Sequence, residues 1–548
     1  MGKNFNTATI FILGAIIYIV GMVLIGIMDI DASLYAEMSR EMLGSGDLLD
    51  FRNRMIDRYL DKPPLLFWLS VFSYYLFGLS EFAYRLPTFL ATLLGAYSTY
   101  RMARIYYEDR EVPYLAAIFL FSCQAWFLIN HDVRTDALLA NFVIFASWQL
   151  AAYLERKRAV NFLMAFIGIG LAMMAKGPIG LMVPVIGFGS DLLIRKRWKD
   201  IFRPEWVAGI LIILLTLSPM LVSLYRQYGT YGLEFFFWTQ SFGRITGSNY
   251  WQDSSGPFFF VHTFLWSFLP WSLLTVAALV ILARKLIKSR LKRNAVREYV
   301  TVSAFLITFL ILSRSSYKLP HYIYVVFPYA SIFTAAGVSS LIKRAGRGPG
   351  TGQKITGAIQ YFISAILLIA SSLLAFWIFP VTEIWVFISI VVFVGFAFYF
   401  LIIKGHTFRK WFWVTLFSIF TANFILNIQV YPELMKYQAG EKIAGYINEK
   451  GIPSEDLYQV YYHSSAFDLY LGDTPPEANP RKIKRLTELK EEFWVITNER
   501  GLKDLEEISA SPYPVKEFDN YRVQILTWKF LNPDTRRESL EKLYLLKF

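Results

Sequence analysis

D-I-D-A-S-L-Y-A-E-M-S-R-E-M-L-G-S-G-D (residues 29–47) and R-Y-L-D-K-P-P-L-L-F-W (residues 58–68) bracket the most charged passage near the start of this 548-residue chain. An apolar run over residues 8–28 ends directly before it. Most other apolar runs are joined by short basic loops. This one leads instead into two acidic clusters, a lysine and a double proline. Charge set beside lipid is costly, and such a concentration marks a functional site by default.

Around this stretch the chain reads as a membrane protein. It is 55% hydrophobic and 18% aromatic against 18% charged. Runs approaching the ~20 residues that cross a bilayer recur at 8–28, 84–106, 113–130, 136–153, 160–175, 178–194, 206–224, 257–283, 299–313, 320–342, 356–378, 382–403 and 411–429. Thirteen spans with a cytoplasmic N-terminus place every basic cluster (156–158, 195–199, 284–297, 343–347 and 404–410) on the cytoplasmic side. An odd count then puts the C-terminal residues outside. The net charge of +13 is uneven, because residues 431–548 hold 17 Lys and Arg against 20 Asp and Glu. Basic residues concentrated in short loops fit a membrane topology and argue against nucleic acid as a partner. Cys123 is the lone cysteine, so no disulfide forms within the chain. The N-terminal run reads as a retained anchor, too long for a signal-peptide core.

Two short segments of the first external loop (29–83) do not read as spans. Residues 63–78 are apolar but short and aromatic, and counting them as a span would invert every later loop. They are predicted to lie at the interface, as is an amphipathic helix over 32–43. After residue 430 the pattern changes to a predicted α/β domain over 431–548. It has a helix at 438–450, strands at 458–462, 493–497 and 522–528, and a terminal helix over 533–546. The expected fold class is a polytopic α-helical membrane domain (1–430) carrying a small α/β domain.

Under this topology acids, bases and tyrosines gather on the outer face. The first loop supplies Asp29, Asp31, Glu37, Tyr59, Asp61 and Lys62, with Arg85 at the next span. Later loops supply His131, Asp132, Arg134 and Asp136, then Lys176-Gly177-Pro178, then Arg226 and Arg244, then Lys318, His321 and Tyr322. Each has a plainer reading. Asp31 and Asp136 could cap helices, Asp61-Lys62 could open one, and Lys176, Arg244 and Lys318 could snorkel. The functional reading of Lys62 is a cation beside a helix start, suited to a phosphate.

These motifs resemble the C-type lipid-dependent glycosyltransferases. The similarity lies in D-A-S-L-Y-A-E-M-S-R-E-M-L-G-S-G-D, Y-L-D-K-P-P-L-L-F-W, F-A-Y-R-L-P, R-T-D-A-L-L-A-N-F, A-K-G-P and Y-K-L-P-H-Y, in that order. It is nearest to bacterial 4-amino-4-deoxy-L-arabinose transferases of lipid A, relatives of the protein O-mannosyltransferases. The resemblance implies an inverting transfer of sugar from a polyprenyl phosphate such as undecaprenyl phosphate, at the outer face of the inner membrane. It implies Asp31 and Asp136 as catalytic carboxylates, Lys62, Tyr35, Tyr59 and Arg244 around the donor phosphate, and Tyr322, Lys318 and Arg85 at the substrate. Asp61 takes a position that contributes to a divalent metal site in the family, although Ser241 stands where a histidine is common. Ala32 replaces a glutamate, and Leu34 replaces an arginine that aminoarabinose transferases tend to have, which weakens lipid A as the acceptor. The expected partners are a polyprenyl-phosphate sugar donor, membrane lipids and a lipid or protein acceptor, with the chain acting as a monomer. Two other readings are transfer to protein Ser/Thr or another glycan and, from a different class, a flippase of lipid-linked saccharides.

Overall fold

The computed structural model describes residues 7–49, 59–240, 243, 255–290, 292–294, 296–343, 350–402, 407–489, 492–507 and 513–548. The membrane portion is a helical bundle of α1 (Thr7–Leu24), α2 (Asp31–Ser45), α3 (Leu65–Phe77), α4 (Glu81–Tyr106), α5 (Glu111–Phe121), α6 (Gln124–His131), α7 (Thr135–Arg156), α8 (Ala159–Lys176), α9 (Ile179–Ile194) and α10 (Glu205–Tyr228). It continues with α11 (Phe259–Ser267), α12 (Ser272–Lys288), α13 (Val300–Ser313), α14 (Phe327–Lys343), α15 (Thr351–Leu373), α16 (Ile384–Ile402) and α17 (Thr407–Ile425).

Among the described residues, seven helical segments are long and apolar enough to cross a bilayer, and nine if each of two bent pairs counts as one span. The first pair, α5 and α6, bends by 46°. The second, α11 and α12, bends by 115° and corrects the single straight span expected over 257–283. Pro270 stands in the break; it lacks an amide hydrogen and clashes with the preceding turn, so the helix cannot run through. The helix α11, only nine residues long, is too short to cross alone at 1.5 Å per residue. Helices α3, α9 and α13 and the run Ala8–Leu24 of α1 are apolar but shorter than 18 residues.

Both segments expected at the interface are helical. Helix α3 is 13 residues long. It packs Leu66 and Phe67 inward while leaving Phe72, Tyr75 and Phe77 exposed, as suits a helix lying at a lipid boundary. Helix α2 buries Tyr35, Glu37 and Met38 and ends at Gly46, whose φ of 71° is the left-handed conformation that glycine tolerates.

Beyond residue 430 the chain forms α18 (Ala439–Lys450), β1 (Leu457–Val460), α19 (Ser465–Leu471), β2 (Trp494–Asn498), β3 (Tyr513–Asn520) and β4 (Glu541–Lys547). The sheet order is β1-β2-β4-β3. Strand β1 pairs parallel to β2, and β4 runs antiparallel between β2 and β3. Two expectations are corrected here. The strand predicted at 522–528 lies at 513–520. The predicted terminal helix ends instead as the central strand β4, because Leu543, Leu545 and Leu546 are buried among its two neighbours and tertiary pairing overrides a local helical pattern.

This domain leans on α2. In it, burial first and the Glu37 carboxylate second push Asp468 up to about 8. The ordinary value in an unfolded chain is near ~4. Between the two values the folded protein keeps a proton that the unfolded chain has released, so stability falls as pH rises through that window and levels off above it. Asp468→Asn should remove this slope, a change on the order of a few kcal/mol. Melting temperature in detergent from pH 5 to 9 measures it, and a variant with the wild-type slope would contradict the assignment.

Candidate active site

Neither expected carboxylate is a helix cap. Helix α2 begins at Asp31 after Ile30, and Ile30 makes no side-chain cap. The Asp31 carboxylate instead accepts from Nη1 of Arg134. The same guanidinium donates from Nε to Asp132 at 2.9 Å. Burial alone would lower the pKa of Arg134, but Asp132 and Asp31 more than offset it and hold it above its ordinary value. One cation thus fixes two acids from different loops. Asp31 remains about a third open to its surroundings, with 38% of its side chain exposed.

Asp136, two residues beyond Arg134 in the first turn of α7, meets a different cation. Lys176 donates to its Oδ1 at 2.5 Å. His321 Nε2 lies 3.8 Å from the other oxygen, and the Lys176 ammonium stands 3.7 Å over the Tyr322 ring. Lys176 ends α8, and Gly177 follows with φ of 83°. The A-K-G-P motif therefore has a conformational reason, because a side chain at that φ would be strained. The chain then reverses so that α9 begins directly after Pro178.

Lys62, Asp136, Lys176 and Tyr322 line a pocket whose empty space, open solvent included, is about 840 Å³. Its walls are apolar: Ile179, Met182, Val183 and Ile186 from α9, and Ile311 and Leu312 from α13. Gln240 also lines it and donates to the Asp61 carbonyl, fastening the loop that carries Lys62. The result is a largely apolar pocket that also holds two lysines. That lining fits a phosphate joined to a long hydrocarbon chain.

The remaining predicted residues fall around this pocket or away from it. Tyr35 is 1% exposed and packs edge-on against Phe67, as does Tyr59. Its hydroxyl finds no hydrogen-bond partner among the described residues. Burial, then the neighbouring Tyr59 and Asp31, keep it a neutral phenol. Arg85 is fully buried and donates to the carbonyls of Met22, Ile25, Gly26 and His131. These groups close the end of α1 and the end of α6, which gives Arg85 a scaffolding place where substrate contact was expected. Lys318 donates to the Ser255 carbonyl at 2.9 Å and so ties down the loop before α11. Arg244 and Ser241 lie outside the described residues. Among the described residues no three His, Cys, Asp or Glu side chains converge to hold a metal. Among those residues Asp61 has no such companions.

Three residues at this centre were not singled out as site residues from sequence: Arg134, Lys176 and His321. Lys176 had a signal, since it sits in A-K-G-P between two closely spaced apolar runs. Arg134 and His321 were visible only as charged neighbours of motif residues.

Known proteins bear on this geometry in three ways. Residues 61–222 match a family described as dolichyl-phosphate-mannose-protein mannosyltransferase. Undecaprenyl phosphate-α-4-amino-4-deoxy-L-arabinose arabinosyl transferase 2 of Proteus mirabilis (strain HI4320) is 27% identical over 346 residues, covering 62% of this chain and 60% of the relative. The corresponding transferase of Edwardsiella ictaluri (strain 93-146) is 28% identical over 381 residues, 67% of this chain and 65% of the relative. The chain thus spans about three fifths of the length of the first relative and 65% of the second. The crystal structure of ArnT from Cupriavidus metallidurans bound to undecaprenyl phosphate superposes with a TM-score of 0.75 at 18% identity, covering 98% of this chain and 97% of that one. The archaeal oligosaccharyltransferase AglB from Archaeoglobus fulgidus matches with a TM-score of 0.50 at 12% identity, over 90% and 70%.

Proposed function

We propose that this chain, which has the C-type glycosyltransferase fold, moves a sugar from a polyprenyl-phosphate carrier to an acceptor of the cell envelope. The observation that carries the reading is a pocket lined by both Lys62 and Lys176 and by apolar side chains of α9 and α13. The carrier's phosphate sits at the lysines and its chain follows the apolar wall. As the bond from the anomeric carbon to the phosphate oxygen breaks, negative charge grows on the leaving phosphate. Fixed cations stabilise that charge more in the transition state than in the ground state. Asp136 holds Lys176 in place for this task.

The acceptor attacks from the face opposite the leaving phosphate, which inverts the anomeric centre. Asp31, its direction set by Arg134, serves as base if the acceptor is a hydroxyl. A phosphate acceptor is already anionic, and Asp31 then orients it. The resemblance of the motifs to aminoarabinose transferases of lipid A favours a lipid phosphate, whereas the matched family at 61–222, described by transfer to protein, favours a protein acceptor. Charge placement favours an outer-face site in a multi-pass inner-membrane protein.

The test is purified protein in nanodiscs with a sugar-loaded undecaprenyl phosphate and either a lipid A acceptor or a Ser/Thr peptide. Release of undecaprenyl phosphate with gain of sugar on one acceptor is expected. Movement of the intact carrier between leaflets without cleavage would point to a flippase instead. Reporter fusions after Lys288 and Lys450 should read opposite sides of the membrane, and reading the same side would remove the outer-face assignment.

A further inference from the structure

Asp29 stands two residues before Asp31, yet its carboxylate is bonded by the C-terminal domain. Its Oδ2 accepts from the Ser464 hydroxyl at 2.5 Å. Its Oδ1 accepts from the Ala466 amide at 3.0 Å and from the Ser33 hydroxyl at 2.5 Å. One carboxylate thereby ties the first turn of α2 to the start of α19, 435 residues away in sequence. It is not the sole tie. Gln438 is 4% exposed; its Oε1 accepts from the Asp29 amide at 2.7 Å while its Nε2 donates to the Ile27 carbonyl at 2.9 Å. The Tyr470 hydroxyl accepts from the Ile27 amide at 2.9 Å. Further along α2, Arg40 donates to the Gly472 carbonyl at 2.6 Å.

Thus the segment 27–29 is gripped at side chain and main chain by residues beyond 430, and the next helical residue is Asp31. On its other side Asp31 meets Arg134 of the membrane bundle. The position of this carboxylate is therefore set from two directions, one of them the C-terminal domain. A shift near 1 Å at a reacting group can cost rate severely, so this grip bears on turnover as well as on assembly.

We infer that Asp29 is a positioning residue and that the C-terminal domain, through Ser464, Ala466 and Gln438, holds Asp31 in register for sugar transfer. This rests on the reading of Asp31 given under Proposed function. The C-terminal domain is then a working part of the transferase.

Ser464 permits a test that keeps the domain folded. Its hydroxyl also caps α19 by accepting from the Phe467 amide. Asp caps as well as Ser, so Ser464→Asp keeps that role while setting a second carboxylate against Asp29. The full-length variant in detergent, assayed at a temperature where it remains folded, should lose about tenfold in kcat with KM for the donor little changed. Hydrogen exchange of residues 27–40 should rise. Asp29→Asn paired with Ser464→Asp restores a donor facing an acceptor, and this double variant should return to within about threefold of wild type. Wild-type kcat for Ser464→Asp, or a double variant as poor as the single one, would overturn the inference. Asp31→Asn in the same assay keeps the two claims apart. If it is inactive while Ser464→Asp is fully active, the positioning role falls and the site reading stands. If Asp31→Asn is fully active, the site reading falls and the positioning role falls with it. If wild type transfers nothing from polyprenyl-phosphate donors, hydrogen exchange alone decides whether the grip exists, and unchanged exchange removes it.

Discussion

Asp31→Asn should lose sugar transfer by roughly 10²–10⁴-fold if the acceptor is a hydroxyl, the range typical of a missing general base. The fold should survive. Asp31 is not the cap of α2, and asparagine keeps an oxygen that can accept from Arg134. What disappears is basicity and negative charge at a carboxylate whose direction the bundle has already fixed. Arg134 keeps its bond to Asp132, so the substitution does not leave a buried cation unpaired. Raising the pH should ease the defect with a hydroxyl acceptor, because alkoxide becomes slightly more available. With a phosphate acceptor no such recovery is expected over the neutral range. The measurement is transfer by detergent-purified variants, normalised to folded protein. Near-wild-type turnover would end the catalytic assignment. Asp136→Asn in the same assay should lose as much or less, because it loosens Lys176 and leaves Asp31 in place.

The bundle was legible because each lipid-crossing helix must satisfy its own backbone and so carries a long apolar run. Where the chain departs from that rule the reading failed. Residues 257–283 look like one span by composition, yet Pro270 lets the two halves turn by 115°. Hydropathy averages over such a break. The terminal strand was missed for a different reason. E-S-L-E-K-L-Y-L-L-K-F has helix-forming residues throughout, and only pairing with β2 and β3 makes it a strand. The site shows the same division. Asp136 and Lys62 reach the pocket, and their motifs carried them there. Arg85 sits in an equally regular motif, F-A-Y-R-L-P, but its guanidinium closes helix ends. A motif shows that an arginine is needed and not which partner it meets. Arg134 posed the converse difficulty, since its pairing with Asp31 joins positions 103 residues apart.

Lys62→Ala should reduce transfer by about a hundredfold or more, the effect of losing one charge-assisted contact of roughly 2–4 kcal/mol at a developing anion. The structure sharpens the expectation, because the second lysine at the pocket cannot simply replace it. Lys176 is bound to Asp136 at 2.5 Å and stacked on Tyr322; that carboxylate offsets much of its charge as seen by a phosphate. Lys62 comes from the loop that Gln240 fastens at Asp61. If it acts on the leaving phosphate, kcat and kcat/KM should fall together. If it only anchors the ground-state phosphate, KM for the donor should rise with kcat intact. Lys62→Arg retains charge but presents a planar fork in place of a point cation, and it should recover part of the loss. Because Lys62 lies before α3, whose N-cap is Pro64, and an ammonium cannot accept from the helix's first amides, the alanine variant should fold. Full activity with unchanged donor affinity in that variant would reduce Lys62 to a residue of the helix approach and remove that cation of the pocket from the mechanism.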